Sequence, residues 1–196
     1  MTIHLDSELI KKYFDSKAES WNDNVVDINK LDILFNKGSY FINADILDIG
    51  CGTGVLFDYY LNNGCKSLTA IDISQKMIDI ASKNFHQVNL ICGDATIYNY
   101  DKRFDLIVIF DSLPHISNID LLFENCKKHM NSNSILIIAF DKNENSINKI
   151  HDSVPEGISS KLISIEELRN ICLKYFDVDT SISNNDIYEI ICINRT

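Results

Sequence analysis

The sequence has 196 residues, a formal net charge of −10 at pH 7 and a hydrophobic fraction of 45%. This length and composition predict one globular domain with a sizeable core. The acidic charge disfavours nucleic acid as a partner, because a phosphate backbone is repelled unless basic residues are concentrated on one face. The longest apolar runs, LIVIF and ILIIAF, are too short to cross a bilayer, and the N-terminus lacks the apolar segment of a signal peptide. We therefore expect no membrane partner.

The six cysteines are spread along the chain without a C-x-x-C pair, and no Cys/His spacing suits zinc. Four of them lie inside apolar patterns, where a free cysteine behaves as a small hydrophobic residue. We therefore expect reduced thiols in a cytoplasmic protein and no metal site.

The first 42 residues have helical spacing, with Tyr13, Phe14 and Trp21 on a segment that is predicted to cover one end of the fold. Beyond them, short apolar runs alternate with amphipathic runs, which is typical of a parallel sheet with helices on both faces. The predicted strands are residues 44–49, 67–72, 88–93, 104–110 and 134–140. The predicted helices between them are residues 54–63, 74–85 and 119–130.

The end of the chain breaks this alternation. The capping box SIEE, residues 164–167, opens a helix that is predicted to run to about Tyr175. Two strands, residues 176–182 and 187–193, then flank the short turn SNND and are predicted to be antiparallel. The expected fold is one α/β domain over residues 1–196, with a helical cap (1–42) and a doubly wound, mostly parallel seven-stranded core (43–196).

Three glycines lie in five positions where the first strand meets a helix, in the stretch ILDIGCGTGVLFDYY. In an open α/β sheet, ligands bind beyond the carboxyl ends of the strands. Gly50, Gly52 and Gly54 lie at that edge, where a missing Cβ permits close approach and a helix N-terminus offers unpaired N–H groups. The alternative is a tight turn without a ligand.

Acidic residues at the next two strand ends favour a nucleoside site. Asp72 closes the second strand, where a carboxylate accepts hydrogen bonds from both ribose hydroxyls. Asp94 follows the third strand, where an adenine ring would lie. The dinucleotide fingerprint G-x-G-x-x-G is not met, because residue 55 is Val. Asp48 before the loop suits a ligand with an amino group and a sulfonium and repels a pyrophosphate.

The motif series LDIGCGTG, AIDIS, CGDA and FDLIVIFDSLPHI resembles that of class I S-adenosylmethionine-dependent methyltransferases, and YFDSKAESWN resembles the segment before the core of many small-molecule members. The resemblance covers nearly the whole chain and implies a Rossmann-like fold. It also implies S-adenosylmethionine as cofactor and methyl transfer as activity. Two departures concern turns: NSNS before the fifth strand, where the family often has Pro-Gly-Gly, and Tyr175, where glycine is frequent.

Carried over by position, the resemblance implies a set of cofactor contacts. Asp48 and the loop 50–54 would face the methionine part, Asp72 the ribose and Asp94 the adenine amino group. The complete set implied is Tyr13, Trp21, Asp48, Gly50, Cys51, Gly52, Gly54, Asp72, Ile73, Met77, Gly93, Asp94, Ala95 and Phe110.

Methyl transfer from a sulfonium is an in-line displacement, for which the protein mainly aligns an acceptor. A neutral hydroxyl or amine acceptor also loses a proton, and His115, just past the fourth strand beside Asp111, is the candidate base. The alternative is a packing or capping role for His115. His151 lies on a predicted lid, and His4, His86 and His129 are predicted at the surface.

The expected partner is a small-molecule acceptor, bound by a monomer or a homodimer. Two other functions stay open on the sequence alone: a nicotinamide-dependent oxidoreductase and a non-catalytic nucleoside-binding module.

Overall fold

The computed structural model describes residues 5–23 and 26–195. The strands of this part are β1 (Asp45–Ile49), β2 (Ser67–Asp72), β3 (Asn89–Cys92), β4 (Phe104–Phe110), β5 (Met130–Phe140), β6 (Asp177–Ser183) and β7 (Tyr188–Ile193). They form one sheet in the order β3-β2-β1-β4-β5-β7-β6. The first five strands pair in parallel, and β7 is antiparallel to both β5 and β6. The predicted mostly parallel sheet with an antiparallel C-terminal hairpin is confirmed.

The helices of the described residues are α1 (Ser7–Lys17), α2 (Ile28–Leu34), α3 (Phe57–Asn62), α4 (Gln75–Asn84), α5 (Ile119–Lys128), α6 (Glu144–His151) and α7 (Ile165–Cys172), with 3₁₀ turns at Ala18–Asp23, Asn36–Phe41 and Leu113–His115. The predicted caps are present: Ser74 Oγ accepts the Met77 N–H, and Ser164 Oγ accepts the Glu167 N–H. None of the helices described is long and apolar enough to span a membrane.

Alternate side chains of the parallel strands enter two apolar layers. On β1, Leu47 packs in the layer beneath α5 and α7, whereas Ile46 packs in the opposite layer beneath α2, α3 and α4. The chain runs outward from β1 through β2 to β3 on one side and from β4 to β5 on the other. A crevice therefore opens above the carboxyl ends of β1 and β4, where such sheets bind ligands.

The N-terminal segment is helical as predicted, in so far as it is described. Its division from the core at residue 42 stays a prediction. His4 lies outside the described residues, and His86 is exposed as predicted.

Two details of the predicted elements are wrong. The NSNS segment (131–134) is not a loop but part of β5, whose register with β4 shifts between Phe104 and Leu106. The strand absorbs the extra residues as a bulge. The helix predicted over 54–63 begins only at Phe57, because the glycine loop continues as turns to that point and leaves Val55 at the surface.

The prediction of a surface position for His129 is also wrong. His129 is buried, its Nδ1 lies 3.0 Å from the Asn125 carbonyl oxygen, and its ring centroid lies 5.0 Å from that of Tyr100. The chain turns from α5 directly into β5 at this residue and carries the imidazole inward. The polarity of histidine predicts exposure, but it does not show that the chain turns inward at this position.

Candidate active site

The glycine loop follows β1 and turns back against β2. The N–H groups of Gly50 and Cys51 both donate to the Ile71 carbonyl, at 2.8 and 3.2 Å. Gly52 has a φ of +55°, which only glycine adopts without strain. A Cβ on Gly52 would lie 3.3 Å from Trp21 Nε1. The loop therefore depends on glycine both for its backbone conformation and for its close approach to the N-terminal segment.

Asp72 ties the end of β2 to this loop. Its Oδ2 accepts the Gly52 N–H at 2.9 Å, and its Oδ1 accepts the Ser74 N–H at 2.8 Å. Burial raises the pKa of the Asp72 carboxyl, and these backbone donors oppose the rise. Because each carboxylate oxygen has two lone pairs, Asp72 retains acceptor capacity toward a ligand.

The end of β3 is fixed in a similar way. The Gly93 N–H donates to the Asp72 carbonyl at 2.9 Å. Asp94 Oδ1 accepts both the N–H of Thr96, at 2.9 Å, and its hydroxyl, at 2.7 Å. Two successive strand ends therefore present carboxyl groups that backbone donors hold in place.

A cavity of about 610 Å³ lies above the carboxyl ends of β1 to β5, a volume typical of small-molecule sites. We call the walls formed by residues 49–55, 71–77 and 93–96 the glycine-loop half. The walls formed by residues 110–117 and 141–154 are the β4–β5 half. Side chains of α1 and of the 3₁₀ turn that follows it line both.

The structure brings most of the sequence-predicted site residues to this one cavity, although their ligand contacts stay predictions. The residues on its wall are Tyr13, Trp21, Gly50, Cys51, Gly52, Asp72, Ile73, Met77, Gly93, Asp94, Ala95, Phe110 and His115.

Asp48 and Gly54 are not on the cavity wall. Asp48 is buried, burial raises its pKa to about 7, and the nearby carboxyl of Asp72 adds to the rise. It lies near the hydroxyl of Tyr60, which is buried beneath the loop. A Cβ on Gly54 would lie 2.5 Å from the Phe57 ring. Asp48 therefore supports the loop from below, and Gly54 packs closely against Phe57. The predicted cofactor contacts of these two residues stay predictions.

His115 lies in the β4–β5 half. Its Nδ1 is 3.0 Å from the Ile158 carbonyl oxygen; because a carbonyl only accepts, Nδ1 carries the proton of the neutral ring. Burial lowers the pKa of His115 to about 4, and this hydrogen bond opposes the shift. The ring centroid lies 4.8 Å from that of Phe14 and 5.1 Å from that of His151. His151, predicted on a lid, packs behind His115 and does not line the cavity.

Sequence reasoning placed Asp111 at this edge without a role and missed Asp141 and Lys142, which also line the cavity. Asp141 directly follows β5 and forms an ion pair with Lys142, Oδ1 to Nζ, at 2.6 Å. Lys30 Nζ donates to the Asp141 carbonyl at 2.7 Å. The strand-end rule that identified Asp72 would have found Asp141, since both acids come directly after or at the end of a buried strand.

Helix α1 crosses the cavity and is fastened on both sides. The Asp6 N–H donates to the Gly157 carbonyl at 3.1 Å. Asp15 Oδ1 accepts the Ser74 hydroxyl at 2.6 Å and the Lys76 N–H at 3.1 Å. Since Ser74 begins α4 and Gly157 follows α6, α1 joins the glycine-loop half to the β4–β5 half.

Comparisons with known proteins agree with this geometry. The sequence profile of the methyltransferase domain family matches residues 46–133. The chain is 27% identical over 188 residues to malonyl-(acyl-carrier protein) O-methyltransferase of Priestia megaterium, covering 86% of this chain and 68% of that protein. It is 27% identical over 134 residues to ubiquinone biosynthesis O-methyltransferase of Coxiella burnetii, covering 63% of this chain and 57% of that protein.

A solved structure shares the fold. Magnesium protoporphyrin IX methyltransferase of Synechocystis PCC 6803, with bound S-adenosylhomocysteine (SAH), superposes on this chain with a TM-score of 0.68 at 17% identity. The superposition covers 97% of this chain and 100% of that chain. The nicotinamide-dependent oxidoreductase that the sequence left open receives no support from these relationships.

The residues on the cavity wall fit a sulfonium nucleoside. Asp72 offers carboxylate oxygens to ribose hydroxyls, and Asp94 offers a carboxylate oxygen beside Gly93. The glycine loop allows a ligand to approach the backbone closely. The match of the sequence profile, the named relatives and the shared fold lead to one assignment. They support a class I S-adenosylmethionine-dependent methyltransferase, with S-adenosylmethionine as its cofactor.

Proposed function

We propose that this methyltransferase acts on a small molecule, which binds in the β4–β5 half of the cavity. The observation that carries the proposal is the position of α1, which is fastened across the cavity at Asp6 and Asp15. The wall beneath it includes the apolar side chains of Ile116, Ile147 and Val154. A covered recess of this kind favours an acceptor that is enclosed and disfavours a large polymer surface.

The cofactor supplies a methyl group activated on a sulfonium, and the glycine-loop half is proposed to hold it. Asp72 would accept hydrogen bonds from the ribose, Asp94 would receive the adenine amino group, and Ile73 and Met77 would pack against the ring. Tyr13, Trp21 and Phe110 would close the pocket beside the methionine part. The predicted contacts with Gly50, Cys51, Gly52, Gly54, Gly93 and Ala95 complete this set, and Asp48 would act through the loop.

The residues of this chain would serve the reaction mainly by alignment. Holding two reactants in line supplies about 7–11 kcal/mol of the barrier, and the apolar residues of α1 and α6 would exclude water. His115 stays a proposed catalytic residue that contacts the acceptor: its ring is neutral at pH 7, and Nε2, free of the proton, can accept a hydrogen bond. Its pKa of about 4 makes it a weak proton acceptor, because an efficient base has a pKa near the working pH.

The remaining parts of the proposal rest on sequence-wide properties. The net charge of −10 disfavours a nucleic acid partner and an anionic membrane surface. The six free thiols favour a cytoplasmic location. We propose one domain that works as a monomer or homodimer. The relatives named above act on malonyl-(acyl-carrier protein) and in ubiquinone biosynthesis, and their O-methyl products favour an oxygen nucleophile.

The test separates acceptor classes. Wild-type protein is incubated with methyl-labelled S-adenosylmethionine and an extract of the cells that make it, divided into small-molecule, protein and nucleic acid fractions. We expect label in the small-molecule fraction alone. Asp72→Asn should lose this labelling, because the neutral amide places a donor opposite the Gly52 or Ser74 N–H.

Asp79→Asn is the matched control, since Asp79 is an exposed acid on α4 that bonds only Gln75 among the side chains described. Label in protein or nucleic acid would contradict the proposal. A protein that binds cofactor and labels no fraction would instead favour the non-catalytic module.

A further inference from the structure

We propose that Asp111 is a catalytic residue, which binds the proton-bearing nitrogen or oxygen of the acceptor and takes its proton on Oδ1. The inference rests on the proposed function, because it assumes that the acceptor occupies the β4–β5 half of the cavity. It names the acceptor class: an amine or a hydroxyl compound, not a nucleophile that arrives without a proton to lose.

The position of Asp111 carries the inference. Asp111 directly follows β4, its N–H donates to the Ala139 carbonyl at 3.0 Å, and its side chain lines the cavity. Its Oδ1 is buried and has no hydrogen-bond partner among the described residues. Buried polar atoms nearly always have partners, and exceptions call for an explanation. A ligand in the cavity supplies the missing donor.

The backbone at Asp111 is held in an uncommon conformation. Its φ of +49° lies in the left-handed region, which residues other than glycine seldom adopt. Such strain persists where the surrounding structure enforces it, often at functional sites. Here the pairing of Asp111 with Ala139 fixes the turn, so the carboxyl group is aimed by the backbone and not by a side-chain partner.

The charges around Asp111 suit a proton acceptor at neutral pH. Burial and the nearby Asp141 carboxyl raise the pKa of Asp111 to about 7, whereas Lys142, a backbone hydrogen bond from Asp141 and Lys30 lower it. Asp141 forms an ion pair with Lys142. Lys30 of α2 donates a hydrogen bond to the backbone carbonyl of Asp141. His115, across the same half of the cavity, binds a proton much less readily. Asp111 is therefore the group whose proton affinity matches neutral pH.

The proposed reaction transfers one methyl group to the acceptor and releases one proton from it. The lone pair of the acceptor nitrogen or oxygen forms the bond to the methyl carbon. The carbon–sulfur bond breaks, and its electron pair stays on sulfur as a neutral thioether. The proton from the acceptor atom moves to Asp111 Oδ1 and then to solvent, which restores the carboxylate.

The test uses binding, since the acceptor is unidentified. The probes are S-adenosylhomocysteine and sinefungin, the cofactor analogue in which an amine-bearing carbon replaces the methylated sulfonium. The ammonium group of sinefungin stands in for the proton-bearing acceptor atom. We expect wild-type protein to prefer sinefungin, and this preference to increase between pH 6 and 8 as Asp111 ionises. Asp111→Asn should lower the preference by about tenfold to hundredfold and remove its pH dependence, because a charged hydrogen bond is lost.

The variants are chosen to preserve the backbone. Asparagine and glycine both tolerate the left-handed conformation, so Asp111→Gly checks the result if Asp111→Asn folds poorly. Asp79→Asn removes the same charge from an exposed position on α4 away from the cavity wall and should leave the preference for sinefungin intact.

The outcomes separate the two levels of proposal. Normal S-adenosylhomocysteine binding with an unchanged sinefungin preference in both Asp111 variants overturns the role of Asp111 alone. A wild-type protein that binds neither probe overturns the proposed cofactor site on which the inference rests.

Discussion

The two halves of the cavity contain similar acidic groups in different surroundings. In the glycine-loop half, the Asp72 carboxyl accepts two backbone N–H groups, from Gly52 and Ser74. In the β4–β5 half, Asp111 Oδ1 is buried, and none of the described residues forms a hydrogen bond with it. Burial raises the pKa of both carboxyls. Asp72 is hydrogen-bonded into the loop that it supports, whereas Asp111 Oδ1 is left available to a ligand.

This difference indicates how the work of the site is divided. The proposed cofactor site depends on backbone geometry, which a few residues close together in the sequence determine. The proposed acceptor site is formed by side chains from segments far apart in sequence, such as Phe14, His115 and Ile147. Mutations in the first half should therefore act on cofactor binding through the backbone, and mutations in the second should act on the acceptor.

The largest effect is expected at Gly52, where the loop meets the N-terminal segment. Valine at position 52 is strained at φ +55° and places its Cβ 3.3 Å from Trp21 Nε1. We expect Gly52→Val to lower the affinity for S-adenosylhomocysteine by roughly a hundredfold or more, because the side chain occupies ligand space and the N–H bond to Asp72 is displaced. Calorimetry measures the affinity, and circular dichroism checks that the variant is folded.

Gly64→Val is the matched control. Gly64 also has a positive φ, +76°, but no atom lies within 4 Å of a Cβ there, and the residue is remote from the cavity wall. The control should lose about 1–2 kcal/mol of folding free energy through the same backbone strain and bind the cofactor product normally. If both variants bind normally, the glycine loop is only a turn.

The sequence predicted the glycine-loop half well because its determinants are local. Strand alternation locates the carboxyl ends, and Gly50, Gly52, Asp72 and Asp94 each lie within a few residues of one. The resemblance to a known family added the chemistry. The sequence did not show which residues line the cavity and which are buried beneath its wall. Asp48 is only four residues from Gly52, yet it is buried and does not line the cavity.

The β4–β5 half was predicted less completely, because its contacts join distant segments. His115 was identified, but its neighbours Phe14 and Ile158 lie about 101 and 43 residues away along the chain. No local pattern shows that burial would lower the pKa of His115, or that Asp111 Oδ1 would be buried without a hydrogen-bond partner among the described residues. The same lack of long-range information placed His129 at the surface, when the turn into β5 buries it.

An intermediate effect is expected at Asp15, which fastens α1 to the glycine-loop half. Asp15→Ala removes the bonds from the Ser74 hydroxyl and the Lys76 N–H, which contribute about 1 kcal/mol. We expect about a three- to tenfold loss of S-adenosylhomocysteine affinity and faster hydrogen exchange in α1. Asp6→Ala is the control: it removes the N-cap of the same helix but leaves this attachment. Equal loss in both variants would mean that helix stability, not the attachment, matters.

The smallest effect on binding is expected at Glu189, a buried carboxyl outside the cavity. Glu189 Oε1 has no partner among the described residues, and burial raises its pKa to about 7, much as at Asp111. The folded state therefore holds the proton more tightly than the unfolded state, and its stability falls as the pH rises from about 4 to 7. Glu189→Gln should raise the free energy of unfolding by roughly 2 kcal/mol at pH 8 and by much less at pH 5. Denaturation at the two pH values measures this, and S-adenosylhomocysteine affinity should be unchanged. A loss of affinity would contradict the separation drawn here, in which a raised pKa marks a functional carboxyl only when the group also faces the cavity.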